Sequence, residues 1–227
     1  MKIGIISDAH GNYEATKCCI DFLHSENVED IYFLGDMIGY FPECLEVYNL
    51  LKENNVKCIL GNHEYFLSGK VIMSDRTEEM IKHNHCRKVL SDEIKDEITN
   101  YKVSRILTIN DIDVVFIHSL GGDEDPFLDE EYKKENTILL SPKKIIFRGH
   151  SHRANAEIYN DDSLKIVDVG SCGYPRDSKN TISVCVFNSE KDFNNNTIIH
   201  RLPFDFEKIL KKYKDKIHYK VREYYER

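Results

Sequence analysis

Residues 2–12 read KIGIISDAHGN: a β-rich run, then Asp, a small residue, His and Gly. The run is almost wholly apolar. It lacks the alternation of a strand with one face in water, and so predicts a strand covered on both faces. The same shape recurs at DIYFLG (30–35), VKCILG (56–61), DVVFIHS (113–119) and KIIFRGH (144–150). Each apolar stretch stops at Gly, Asp, His or Ser. Between the first three lie segments of helical spacing. In 13–26, Ala15, Cys18, Cys19, Phe22 and Leu23 share a face; in 42–54, with Pro42 placed at N1, Leu45, Tyr48 and Leu51 do so. The opening is therefore βαβαβ, which predicts parallel strands joined by right-handed crossovers.

Further along the pattern changes. RTEEMIKHNHCRKVLSDEIKDEI (76–98) carries charge at helical spacing and predicts one or two helices. VSRILTIND and IDVVFIHS (103–119) predict a hairpin turning at Asn110–Asp111, and AEIYNDDSLKIVDVGS (156–171) predicts another. TISVCVFN (181–188) and TIIHRLP (197–203) add two late strands. The tail from 205 places Phe206, Ile209, Leu210, Tyr213 and Ile217 on one face of a C-terminal helix over 205–227. With no linker or repeat, residues 1–227 are expected to form a single α/β domain of two packed sheets flanked by helices.

Composition narrows the classes. The 227 residues are 41% hydrophobic and 31% charged, which suits an ordinary globular protein. A net charge of −8 argues against broad nucleic-acid or anionic-membrane binding. Seven cysteines, none in a C-x-x-C pair, suggest buried thiols in a reducing compartment. The N-terminus starts at once with a strand-like run, and no apolar run approaches the ~18 residues of a membrane span. A cytoplasmic protein is expected.

The strand ends carry the chemistry: Asp8 and His10, Asp36, Asn62 and His63, His118, and His150 and His152. Strand ends of a parallel α/β sheet converge on one crevice. Asp, Asn and His together suit borderline divalent ions such as Mn, Fe, Zn, Ni or Co, and no thiolate is in the set. Two ions need about this many ligands, with one carboxylate shared; such a pair activates water and clamps both oxygens of a phosphoryl transfer. Each piece taken alone has a plainer reading, a turn, a cap or a core histidine. Their occurrence together and in order is the signal.

The five blocks DAH, GDMIG, GNHE, FIHS and GHSH, in that order over residues 1 to about 175, resemble the calcineurin-like metallophosphoesterases. The resemblance implies an α-β-β-α sandwich of mixed sheets with a dinuclear centre, manganese being the ion favoured in vitro. It implies that Asp8, His10 and His152 hold one metal, that Asn62, His118 and His150 hold the other, and that Asp36 bridges both. His63 would face substrate and assist the leaving group, and a metal-bridging hydroxide would attack directly, without a phosphoenzyme. GDMIGYFPECLE and GSCGYPRDSKN (170–180) resemble a small prokaryotic branch related to phosphodiesterases and diadenosine tetraphosphatases. That branch departs from the protein phosphatases, whose G-D-x-V-D-R-G block has Gly39 and Tyr40 in its place here. Phe41, Cys172 and Tyr174 depart from the branch pattern and leave specificity open.

Arg153 and Arg176, together with Asn62, are candidate substrate contacts, because their segments adjoin the site and arginine pairs with phosphate. Arg148, inside a strand, is a weaker one. His83 and His85 mimic a ligand pair but have no strand before them; they are read as surface residues or part of a lid. The expected partner is a phosphorylated small molecule, and the resemblance allows dimers or larger assemblies. Two other functions compete with hydrolysis. A protein-binding scaffold of the same fold would tolerate degraded ligands, and a nuclease would carry basic capping segments.

Overall fold

In the first sheet, β1 (Lys2–Ile6) pairs in parallel with β2 (Asp30–Phe33), and β2 with β3 (Lys57–Cys58), as the βαβαβ reading requires. The computed structural model describes residues 1–69, 73–120, 141–160 and 163–226. Helix α1 (Tyr13–Ser25) is capped by Asn12, whose side chain accepts from Ala15 N at 3.3 Å. It buries Ala15, Thr16, Cys19, Ile20 and Leu23, so the apolar stripe is rotated away from the predicted Cys18 and Phe22. Helix α2 (Cys44–Glu53) starts later than predicted. Phe41 N bonds His10 O and Glu43 N bonds Gly11 O, which keeps 41–43 as loop and leaves Pro42 ahead of the helix.

After α3 (Asn62–Leu67), the charged stretch forms, among the described residues, three helices rather than one or two: α4 (Asp75–Ile81), α5 (His83–Val89) and α6 (Asp92–Thr99). Local backbone explains the breaks. Lys82 is left-handed at φ 60°, ending α4, and Ser91 caps α6 by accepting from Ile94 N at 3.3 Å.

The second sheet runs β4 (Ser104–Ile109), β5 (Ile112–Ile117), β6 (Lys143–Arg148), β8 (Leu164–Val169), β7 (Ala154–Tyr159). The β4–β5 hairpin turns at Asn110 and Asp111, both with positive φ, as a primed turn demands. The β7–β8 hairpin also forms, although Asp161 and Asp162 of its turn lie outside the described residues. The late strands join the first sheet, β9 (Thr181–Asn188) antiparallel to β1 and β10 (Thr197–Pro203) antiparallel to β9, giving the order β10-β9-β1-β2-β3. The architecture is thus two mixed five-stranded sheets with helices outside.

Between the sheets, Ile3, Ile5, Tyr32 and Leu34 meet Val114, Phe116, Ile145, Phe147 and Val167. The Tyr32 and Phe116 rings stack at 4.0 Å between centroids. Phe116→Ala should therefore cost about 3–5 kcal/mol and lower the Tm by roughly 10 °C in a thermal melt. The other face of the first sheet, through Ile31, Phe33 and Val184, packs on α1 and α2.

The predicted C-terminal helix is two: α7 (Phe206–Lys212) and α8 (Tyr219–Glu226). A straight helix would carry Val221 about 22 Å from Phe206. The turn at 213–218 instead folds Ile217 and Val221 back onto one cluster with Ile209, Leu210, Tyr40, Phe41 and Tyr174. That cluster places the tail behind the site described next. Among the described residues, no helix is long and apolar enough to cross a membrane.

Candidate active site

The carboxyl ends of β1, β2, β5 and β6, with the start of α3 after β3, converge on one cleft. They bring together Asp8, His10, Asp36, Asn62, His63, His118, His150 and His152. Six non-glycine residues here take left-handed backbone: Asp8, His10, Asp36, Tyr40, His150 and His152, with φ between 38° and 66°. Each costs on the order of 1 kcal/mol, so surrounding contacts must hold them. Asp8 N bonds Gly35 O at 3.0 Å, His10 N bonds Asp36 O at 2.9 Å and His150 N donates to Asp8 Oδ2 at 3.1 Å. The backbones nearly touch: a Cβ on Gly149 would sit 2.0 Å from Ser7 Oγ and 2.6 Å from Asp8 Oδ2.

Three of the histidines are aimed by their other ring nitrogen. His10 Nδ1 donates to Ile38 O (3.1 Å), His118 Nδ1 to Leu34 O (2.6 Å) and His152 Nδ1 to Tyr174 O (2.6 Å). Each Nε2 is then turned into the cleft. His10 Nε2 and His152 Nε2 lie 3.0 Å apart. With both Nδ1 protons committed to carbonyls, no proton lies between two neutral rings, and their lone pairs face each other. A cation resolves that repulsion: ligand nitrogens about 2.0–2.1 Å from one ion sit about 3 Å apart. The Asp8 carboxylate lies 3.4 Å from His152 Nε2 and 3.8 Å from His10 Nε2.

A second group adjoins the first. Asn62 Oδ1 is 2.9 Å from His118 Nε2 and 3.1 Å from His150 Nδ1, so His150 presents the opposite ring nitrogen. Asp36 stands between the groups: its Oδ2 is 3.4 Å from His118 Nε2 and 3.8 Å from His10 Nε2, and its Oδ1 accepts from His63 N at 2.9 Å. Three sets of His and carboxylate atoms have metal-holding spacing: Asp8/His10/His152, His10/Asp36/His63 and Asp36/His118/His150. The donor set fits divalent metal.

Protonation follows the same geometry. Burial pushes Asp8 up to about 7. Burial would also raise Asp36, but His118, His63 and His10 hold it well below the carboxylate range. Burial depresses His10 and His152, and takes His63 down to about 3. Burial opposes charge on His118 too, yet Asp36 and Asp8 lift it to about 10, so positive charge is favoured where their oxygens meet.

A cavity of about 350 Å³ opens over the cluster, lined by Asp36, Tyr40, Asn62, His63, His150, Ser151, His152, Arg153 and Arg176. Arg153 and Arg176 are exposed at its rim. Arg148 is elsewhere: its Nε and Nη2 both donate to Asp168 Oδ2, at 2.9 and 2.6 Å, tying β6 to β8. A larger groove of about 600 Å³ near Phe204, Phe206 and Tyr225 has no ligating cluster among the described residues.

The reading of His83 as a surface residue is corrected, and His85 is half-buried. His83 is wholly buried with its Nε2 3.4 Å from His63 Nδ1, and His85 Nε2 reaches Pro42 O at 2.8 Å. Helical charge pattern hid them, because the face α5 buries is set by the loop it covers. Glu64 was also passed over. Its carboxylate accepts from Asp36 N (2.8 Å), Met37 N (2.8 Å), Ile38 N (3.3 Å) and Gly61 N (3.0 Å). Its place three residues after Gly61, at a helix start, is the signal that could have found it. Tyr174, which stands out in the sequence only as a departure from the branch pattern, sets its ring edge against His10 and His152 and meets Tyr225.

The calcineurin-like phosphoesterase superfamily domain matches residues 1–192. An uncharacterized protein of Methanocaldococcus jannaschii is 28% identical over 226 residues, 92% of this chain and 90% of that one. The symmetrical bis(5'-nucleosyl)-tetraphosphatase of Nitrosospira multiformis is 24% identical over 122 residues, 52% of this chain and 43% of that enzyme. A metallophosphoesterase from Sphaerobacter thermophilus shares the fold with a TM-score of 0.70, at 20% identity over 97% of both chains. With these motifs on converging strand ends and the domain match across most of its length, the chain belongs to the calcineurin-like phosphoesterase superfamily.

Proposed function

We propose that the protein hydrolyses a phosphomonoester or phosphodiester using two divalent metal ions. The observation that carries this reading is the pair of inward-facing Nε2 atoms of His10 and His152, 3.0 Å apart with both Nδ1 positions committed to carbonyls. Asp8, His10 and His152 would hold one ion, Asn62, His118 and His150 the other, and Asp36 would serve both. When bound, the ions supply an activated water and offset phosphate charge for an in-line displacement. His63 faces the same cavity and donates toward the departing oxygen. Arg153 and Arg176 at the rim pair with phosphate oxygens, and Tyr40 walls the cavity beside His10 and His63. The match to a dinucleoside tetraphosphatase supports including polyphosphate anhydrides among the candidate substrates.

The test is a panel of p-nitrophenyl mono- and diesters, nucleotides and dinucleoside polyphosphates with defined metals. Hydrolysis is expected with Mn2+, lost in chelator and regained on adding Mn2+. His63→Ala should lose about 100-fold or more in kcat. No hydrolysis of any member, with bound metal verified, would replace this reading with the scaffold.

A further inference from the structure

We propose that His83 is the positioning residue for His63, holding the ring in the tautomer that points an N–H into the cavity. The inference rests on the proposed hydrolytic function for its kinetic consequence, though not for its structural one. Among the described residues, His63 Nδ1 has one hydrogen-bonding contact, His83 Nε2 at 3.4 Å, with the two rings edge to face at 5.2 Å between centroids. The Nδ1 edge is otherwise closed. A Cβ on Gly39 would lie 2.4 Å from that atom, and the Tyr40 and Phe66 rings flank the imidazole. Gly39, at φ 106°, is thus the residue that leaves room for this contact.

The direction of the bond follows from what each remaining nitrogen faces. His63 Nε2 lies 3.9 Å from Asp36 Oδ2, so a proton there is favoured and a lone pair is not. Among the described residues, His83 Nδ1 is buried without a hydrogen-bond partner. With His83 Nε2–H donating to His63 Nδ1, the unpartnered atom is a bare lone pair, and His63 carries its proton on Nε2. The reversed tautomer would bury an unpaired N–H and aim a lone pair at the Asp36 carboxylate, two penalties in place of one.

The scaffold around His83 is built for this contact. Left-handed Lys82 ends α4 and makes His83 the first residue of α5. On either side of it the same segment grips the loop that carries Asp36: Tyr40 N donates to Ile81 O at 3.1 Å, and His85 bonds Pro42 O. The α4–α5 junction therefore ties the Asp36 loop and His63 into one unit, a role that its charge pattern gave no hint of.

Two variants and one spectrum test it in the full-length protein. His83→Phe keeps a ring in the buried slot and removes the donor; His83→Gln keeps a donor near Nε2. His83→Phe should lower kcat by about 10- to 100-fold with KM within about twofold. The loss should be larger for an alkyl phosphate than for p-nitrophenyl phosphate, because only the poorer leaving group depends on a proton. His83→Gln should recover most of it, and His83→Phe in a His63→Ala background should cost nothing further. Unchanged kcat in His83→Phe, multiplicative losses in the double variant, or no recovery by Gln would each overturn the proposal. The 15N spectrum of the metal-free wild type reads the tautomer without activity or substitution. His63 protonated at Nε2 is expected, and protonation at Nδ1 would overturn the proposal even if the Phe variant does not fold. If His63→Ala keeps full activity, the proton-donor part of the proposed function fails, while the spectrum still decides the His83 contact.

Discussion

Asp36→Asn is expected to lower hydrolysis by more than about 100-fold, above what losing a supporting partner of a metal ligand usually costs. Among the described residues, its carboxylate is the one that adjoins both groups of inward-facing side chains, with Oδ2 toward His118 and His10 and Oδ1 on His63 N. Asparagine keeps the shape but halves the oxygens and removes the charge. One of its two positions would turn an NH2 either toward the inward-facing ring nitrogens or against the His63 N–H. Only Asp8 would remain as an anionic ligand to offset two divalent ions. Metal analysis should show both ions depleted in Asp36→Asn. In contrast, His150→Ala and His152→Ala should each lose a different one, because these rings belong to separate groups despite their i, i+2 spacing. A variant that keeps two ions and wild-type kcat would remove Asp36 from its shared role.

Glu64→Ala is expected to destabilise the protein by about 3–5 kcal/mol, as breaking a buried charged network does, lowering the Tm by roughly 10 °C. Every contact made by this wholly buried carboxylate is a backbone N–H, and three of the four donors belong to the Asp36 loop. Removing it leaves buried donors unpaired, at about 1–3 kcal/mol each before relaxation. Burial, then the Asp36 charge, push its own pKa up to about 7, while the Asp36 and Met37 N–H groups pull it back. Glu64→Gln retains one acceptor but adds an NH2 facing those donors, so it should fall between alanine and wild type. Thermal melts of the three proteins check the order; equal Tm values would show that the loop holds without Glu64.

The strands and the convergence of the strand-end side chains were legible because both are encoded locally. An apolar run that ends in Asp, His or Gly states its own burial and its own end, and strand polarity in βαβαβ places all such ends on one side. The Asn110–Asp111 hairpin was legible for the same reason, since a primed turn depends on the two residues that make it. Where the reading missed, the deciding contact was distant in sequence. Whether residues 75–99 make one helix or three depends on Lys82 turning left-handed to seat α5 on the 39–42 loop. The tail breaks where Ile217 and Val221 turn back onto the cluster that Ile209 and Leu210 form with Tyr40, Phe41 and Tyr174, while Phe206 packs into the core beside α1 and α2.

By itself, then, the amino-acid sequence determined the identity and order of the side chains that converge on the cleft and the layered α/β architecture that gathers them. Periodicity and strand-end chemistry are properties of neighbouring residues. Only the tertiary structure decided how those side chains are held: which ring nitrogen each histidine turns inward, which carboxylate ties down the Asp36 loop, and that a histidine from a charged helical stretch lies buried against His63. Those choices belong to carbonyls, amides and rings that are brought together across tens of residues, and no local pattern carries them.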